Sequence, residues 1–166
     1  MKQYKYKEKF YKLRVVYTGY FVAFIFLFSL YSYYGSLNAL WLMVALVCAY
    51  QFYNTFVSLS NPEEVELSDK VLCFKGFGKT HKYFINEIKD LRIKEFRGSK
   101  KIYLRVNKDD FSLLKGRYWV DCLYFEKGDE LFEALLKLED KIRPHTMKAY
   151  ARNQASSSQQ KENKKK

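Results

Sequence analysis

The sequence predicts a membrane α-helical hairpin followed by an α+β domain: an antiparallel curved sheet or partly open barrel of about seven strands, capped by a C-terminal helix. Three observations carry this. From Val15 through Ser60 the 166-residue chain has no Asp, Glu, Lys, Arg or His, which is the signature of lipid-facing segments. Beyond Pro62, runs of about four to eight residues rich in β-branched and aromatic side chains alternate with turn residues. After Gly128, apolar residues recur at helical spacing. Composition excludes collagen-like, disulfide-rich and wholly disordered classes. The mean hydropathy of −0.38 averages a strongly apolar quarter with a very polar remainder.

Residues 1–14 form a basic arm, with Lys2, Lys5, Lys7, Lys9, Lys12 and Arg14 against Glu8. Tyr4, Tyr6, Phe10 and Tyr11 interleave with these lysines, a pattern that fits an interfacial segment on anionic lipid. Residues 15–59 are a two-helix transmembrane hairpin with spans at 15–34 and 39–59, since a span needs about 20 apolar residues at ~1.5 Å each. Gly35 to Asn38 supply a short neutral turn. The positive-inside rule then sets both termini in the cytoplasm. Rings towards the ends of the spans, such as Tyr17, Tyr34, Trp41 and Tyr53, suit either an interfacial belt or packing between the helices. A signal peptide is the rival for the first segment, but no A-x-A-like site follows its apolar run. A buried soluble hairpin is the other rival, and such helices normally keep a charged stripe. Ala45 and Ala49 offer a small-xxx-small contact, and the amides Asn38, Gln51 and Asn54 seek partners within the hairpin or from another subunit. No ionisable group lies inside the spans, so a proton relay or ion pathway is not expected.

Residues 60–143 read as a cytoplasmic domain. Strands are expected at Val65–Leu67, Val71–Phe74, Thr80–Ile85, Ile88–Phe96, Ile102–Val106, Phe111–Leu114 and Trp119–Phe125, joined by links short enough for antiparallel hairpins. One of these turns is Lys115-Gly116-Arg117. Leu131, Phe132, Leu135, Leu136, Leu138 and Ile142 mark a helix that Asp129 caps and Pro144 follows. Residues 144–166 form a basic tail; from Arg152 onward it is rich in Gln, Ser and Lys, and disorder is expected there. The formal charge of +12 therefore sits in two flanks, because residues 60–142 carry 17 basic and 16 acidic side chains. A nucleic-acid surface would concentrate charge on the folded domain, so no nucleic-acid partner is expected.

The opening hairpin VELSDKVLCFKG, the segment YFINEIKDLRIKE leading into KKIYLRV, and the closing ELFEALLKLEDKI together resemble bacterial pleckstrin-homology-like domains. Such domains occur in small two-span membrane proteins of the YdbS-like and YcxB-like type. The resemblance implies a bacterial inner-membrane protein with a PH-like sheet and no catalysis. Other small partly open barrels with a terminal helix fit the same pattern.

Lys75, Lys79 and Lys82, beside His81, are candidate contacts for anionic lipid headgroups, against the plain alternative of a solvated turn. Arg92 and Lys94 lie opposite Leu91 and Ile93 on their strand, as on an ordinary solvent face that a protein partner could use. Phe77, at a hairpin tip, is a candidate partner contact by aromatic insertion, and bare sheet edges offer strand addition. Cys48, Cys73 and Cys122 read as buried thiols in a reducing compartment. His81 and His145 lack ligand-like spacing, and Lys75-Gly-Phe-Gly-Lys79 opens no helix that would make it a phosphate loop. No catalytic constellation, cofactor or metal is therefore expected. The reading is a non-enzymatic membrane-anchored module that binds a protein partner or a second copy at the cytoplasmic face. The alternatives are a self-immunity factor against a membrane-active bacteriocin, or an accessory subunit of a transport or envelope-assembly complex.

Overall fold

A computed structural model describes residues 2–107, 116–148 and 150–152. Two helices long and apolar enough to cross a membrane, α1 (Glu8–Ser36) and α2 (Ala39–Val57), form an antiparallel hairpin. At ~1.5 Å per residue, α1 runs about 44 Å, longer than a hydrocarbon core of ~30 Å. Its first turns therefore reach past the apolar segment expected from the sequence. Asn38 caps α2 by accepting from the Leu40 N–H at 3.0 Å. Small residues line the contact between the helices: Gly19, Ser29, Ala45 and Cys48 are buried, while Ala49 is only half-buried. A Cβ on Gly19 would lie 2.5 Å from the Phe56 ring, so glycine permits this approach. Both helices widen into π-helical stretches at the same end, Lys12–Tyr17 and Tyr53–Val57.

Two antiparallel sheets adjoin that end. The first holds β1 (Lys2–Lys5), β2 (Glu64–Leu67), β3 (Val71–Gly76) and β4 (Lys79–Phe84) in sequential order. The second holds β5 (Asp90–Phe96), β6 (Lys101–Asn107) and β7 (Arg117–Asp121). They do not close into a barrel. A C-terminal helix, α3 (Gly128–Ile142), packs Leu131, Leu135 and Leu138 into a core with Tyr4, Val65, Leu72, Phe74, Leu91, Ile102, Leu104 and Tyr118.

The N-terminal arm departs most from the sequence reading. Residues 2–5 are a strand paired with β2 in the register Lys2↔Leu67 to Lys5↔Glu64. Tyr4, Tyr6 and Tyr11 are core residues rather than an interfacial segment on lipid. The continuation of β1 is also bonded to the link between β7 and α3: Lys7 N–H donates to Tyr124 O and Glu126 N–H to Lys5 O, both at 2.8 Å. The apolar helical hairpin is thus inserted between two neighbouring strands of one sheet.

Further differences are local. Phe111–Leu114 lies outside the described residues. Arg117 begins β7 instead of closing a turn, and Cys122–Tyr124 forms a 3₁₀ turn where a strand was expected. Asp129 does not cap α3. Lys127 holds the N-cap position with φ 55°, and Asp129 pairs with Lys100 at 2.6 Å instead. Arg152 is not in a disordered tail: it binds Glu139 at 2.9 Å and Asp140 at 2.8 Å, with its side chain 11% exposed.

Candidate functional site

The first basic cluster is dispersed by the first sheet. Lys75 pairs with Glu66 across β2 and β3. Lys79 donates from Nζ to Phe56 O at 3.2 Å, and the Lys82 ammonium sits 5.0 Å from the Phe84 ring. Register puts Glu64 between Lys5 and Lys75, so acid and base alternate on this outer face. Phe77 does not project as a free tip. It occupies the left-handed region (φ 48°), followed by Gly78 (φ 71°), the pattern of a type I′ turn. A bulky residue there is strained, and its ring packs against Phe56 at 5.0 Å and Tyr11 at 5.8 Å. That packing fastens the β3–β4 hairpin to the base of both helices.

The second sheet behaves differently. Register aligns Arg92, Arg105 and Arg117 in one row across β5, β6 and β7, and Lys94, Tyr103 and Trp119 in the next. Period-two alternation gives these residues one common face, while Leu91, Ile93, Leu104 and Val120 point into the core. Trp119 packs against Tyr103 at 4.8 Å and Phe96 at 6.1 Å between ring centroids. Gly116, at φ 73°, permits the tight return into β7, since a Cβ there would lie 2.4 Å from Val106 O. Trp119 N–H donates to Ser60 O at 2.6 Å, tying β7 to the end of α2.

Between this face and the last turns of α2 lies a cleft of about 440 Å³, lined among others by Tyr50, Gln51, Asn54, Lys94, Tyr103, Arg117 and Trp119. Among the described residues, no carboxylate lines it. The Arg117 Nε is buried and has no hydrogen-bond partner among the described residues. Arg92 is engaged by Asp90 at 2.8 Å. The sequence singled out Arg92 and Lys94, and Gln51 and Asn54 as amides in need of partners, but not Arg117 or Trp119 as site residues. Only strand register brings these together.

The edges of the sheets also differ. On β5, Ile93 N–H donates to Glu139 Oε1 at 2.7 Å and Ile93 O accepts from Lys148 Nζ at 3.0 Å, so that edge is filled by side chains. Expected strand addition at bare edges is blocked at this point. Strand β4 is an outer strand of its sheet with mostly exposed residues.

Inside, Tyr118 stacks on Phe74 at 3.9 Å, and its hydroxyl bonds both His81 Nδ1 and Tyr83 Oη at 2.7 Å. Burial pushes the Tyr118 phenol well above the usual tyrosine range and also raises the Tyr83 phenol. Burial likewise pushes the Cys122 thiol up to about 12, away from the thiolate that nucleophilic chemistry needs. Among the described residues no group of His, Cys, Asp and Glu is arranged to hold a metal ion.

No protein-family model, curated protein or solved structure matches the chain.

Proposed function

We propose that the protein is a non-enzymatic, membrane-anchored module at the cytoplasmic face of a bacterial cell membrane, and that it docks a protein partner or a second copy of itself. One observation carries this reading: β1 precedes the hairpin, β2 follows it, and the two are paired. If the hairpin spans a bilayer, both flanks lie on one side, and the basic arm assigns that side to the cytoplasm. The anchor is then not a flexible tether. The sheets are fixed against the helices through β1, Phe77 and the Trp119–Ser60 bond, so the docking surface keeps a constant orientation to the membrane. The sheet-and-helix arrangement supports the resemblance to pleckstrin-homology-like domains, with the hairpin placed between the first two strands. The outer strand β4 is the docking surface this reading favours, because its edge offers backbone groups for strand addition.

Photo-crosslinking in intact cells tests the proposal. A photoreactive residue at exposed Lys82 or Phe84 is expected to give a discrete adduct with a partner or a second copy, and one at exposed Arg97 is not. No adduct from either β4 position would count against docking there. Protease digestion of inside-out vesicles, expected to remove the domain, tests the topology.

A further inference from the structure

We propose that the cleft between α2 and the outer face of the second sheet is a binding site for the phosphate headgroup of an anionic phospholipid. The inference rests on the membrane reading above but concerns a different surface from β4.

The argument begins with charge. Lys94 and Arg117 face the cleft, no carboxylate lines it, and Arg117 Nε is a buried donor left without a partner among the described residues. A buried donor on a permanent cation is costly unless an acceptor reaches it. A phosphate in the cleft would lie beside both the Lys94 ammonium and the Arg117 guanidinium, whose planar fork of N–H groups matches phosphate geometry. Arg92 and Arg105 are aligned with Arg117 by register, but they stand outside the cleft and Arg92 is engaged by Asp90.

The walls identify the source of that phosphate. Tyr50 and Asn54 come from the final turns of the second apolar helix, and Trp119 and Tyr103 come from the sheet. Aromatic rings beside polar amides at the end of a spanning helix occupy the headgroup layer. Trp119 is also held at that level through its backbone bond to Ser60. A lipid whose acyl chains run along α2 would bring its phosphate to this cleft, whereas a free anion would use the cations and leave the rings without a role. The first sheet offers no equivalent place, because Glu64 and Glu66 lie among its lysines.

The test uses the full chain purified in detergent and titrated with phosphatidylglycerol or phosphatidylcholine of identical acyl chains. Retained lipid is counted by native mass spectrometry. The wild type is expected to retain phosphatidylglycerol at least tenfold more tightly than phosphatidylcholine. Lys94→Glu and Arg117→Gln are each expected to reduce that preference about tenfold, and Lys82→Glu on the first sheet to leave it unchanged. Lys94 is exposed, so its variant decides the matter if Arg117→Gln fails to fold. Equal retention of both lipids, an unchanged preference in Lys94→Glu, or an equal loss in Lys82→Glu would overturn the site. So would displacement of the lipid by an equal concentration of inorganic phosphate, which would mark a site for free anions. Recovery of the protein in the soluble fraction without detergent would instead overturn the membrane reading beneath it.

Discussion

The two sheets are built from similar short antiparallel strands, yet their outer faces and edges are organised on opposite lines. On the first, Lys5, Glu64 and Lys75 alternate across the strands, and Lys75 is held by Glu66. On the second, Arg92, Arg105 and Arg117 stand side by side with Lys94 in the next row. The first sheet leaves β4 as an outer strand, whereas the second has its β5 edge filled at Ile93 by Glu139 and Lys148. The difference teaches that net charge says little about a surface. Pairing register determines whether the same residue types neutralise one another or accumulate.

The largest effect is expected from removing residues 2–7. The first sheet would lose β1 and the bonds from Lys5 and Lys7 that hold it to the link between β7 and α3. Limited proteolysis in detergent should then cut the domain throughout while sparing the apolar helices; an intact, resistant domain would show that β1 is dispensable.

Next comes Tyr118→Ala, which should destabilise the domain by about 3–5 kcal/mol, as loss of a large buried aromatic side chain does. It also strands the Tyr83 hydroxyl on the opposite sheet. Denaturant unfolding of the full chain in micelles measures the loss. Tyr118→Phe keeps the stacking on Phe74 and should cost only about 1–3 kcal/mol, the range for leaving a buried polar group unsatisfied.

Glu139→Ala bears on the second sheet alone. Glu139 is buried and bridges Ile93 and Arg152, so a loss of about 1–3 kcal/mol is expected from the unpaired Ile93 N–H, while Arg152 keeps its pair with Asp140. Hydrogen exchange at the Ile93 amide should accelerate while β2 and β3 keep their protection.

Alkaline pH strains the junction of the sheets. The phenols of buried Tyr118 and half-buried Tyr83 are raised from 10.0 by their burial. Below pH 10 folded and unfolded chains hold these protons equally. Above it only the unfolded chain releases them, so it binds fewer protons and stability falls as pH climbs. Phenolate absorbance from these two residues should therefore appear together with unfolding rather than before it.

The smallest effect is expected at Lys75→Ala. Its pair with Glu66 lies on a solvent face, where such pairs contribute little, so the unfolding midpoint should not move measurably.

Some of this architecture was legible in sequence because it depends on short-range patterns. An uninterrupted charge-free run gives helices long and apolar enough to cross a membrane, alternating runs between turn residues give β2 to β6, and 3.6-residue periodicity gives α3. Strand β1 was not legible. KQYK turns a single aromatic residue inward, too short a pattern to register, and its partner lies about 60 residues away beyond both helices. Phe77 misled for a related reason: a hairpin position looks exposed until the packed neighbours Phe56 and Tyr11 are known.

The sequence by itself determined the apolar hairpin, the basic flanks, the antiparallel strands and the closing helix, because each follows from hydrophobic periodicity and turn chemistry within a few residues. Only the tertiary structure decided that the N-terminal arm is a strand and that three arginines share a row. It alone set Arg117 and Trp119 against the end of the second helix. These depend on register and on contacts between segments far apart in the chain, where a one-residue shift would carry every side chain to the other face.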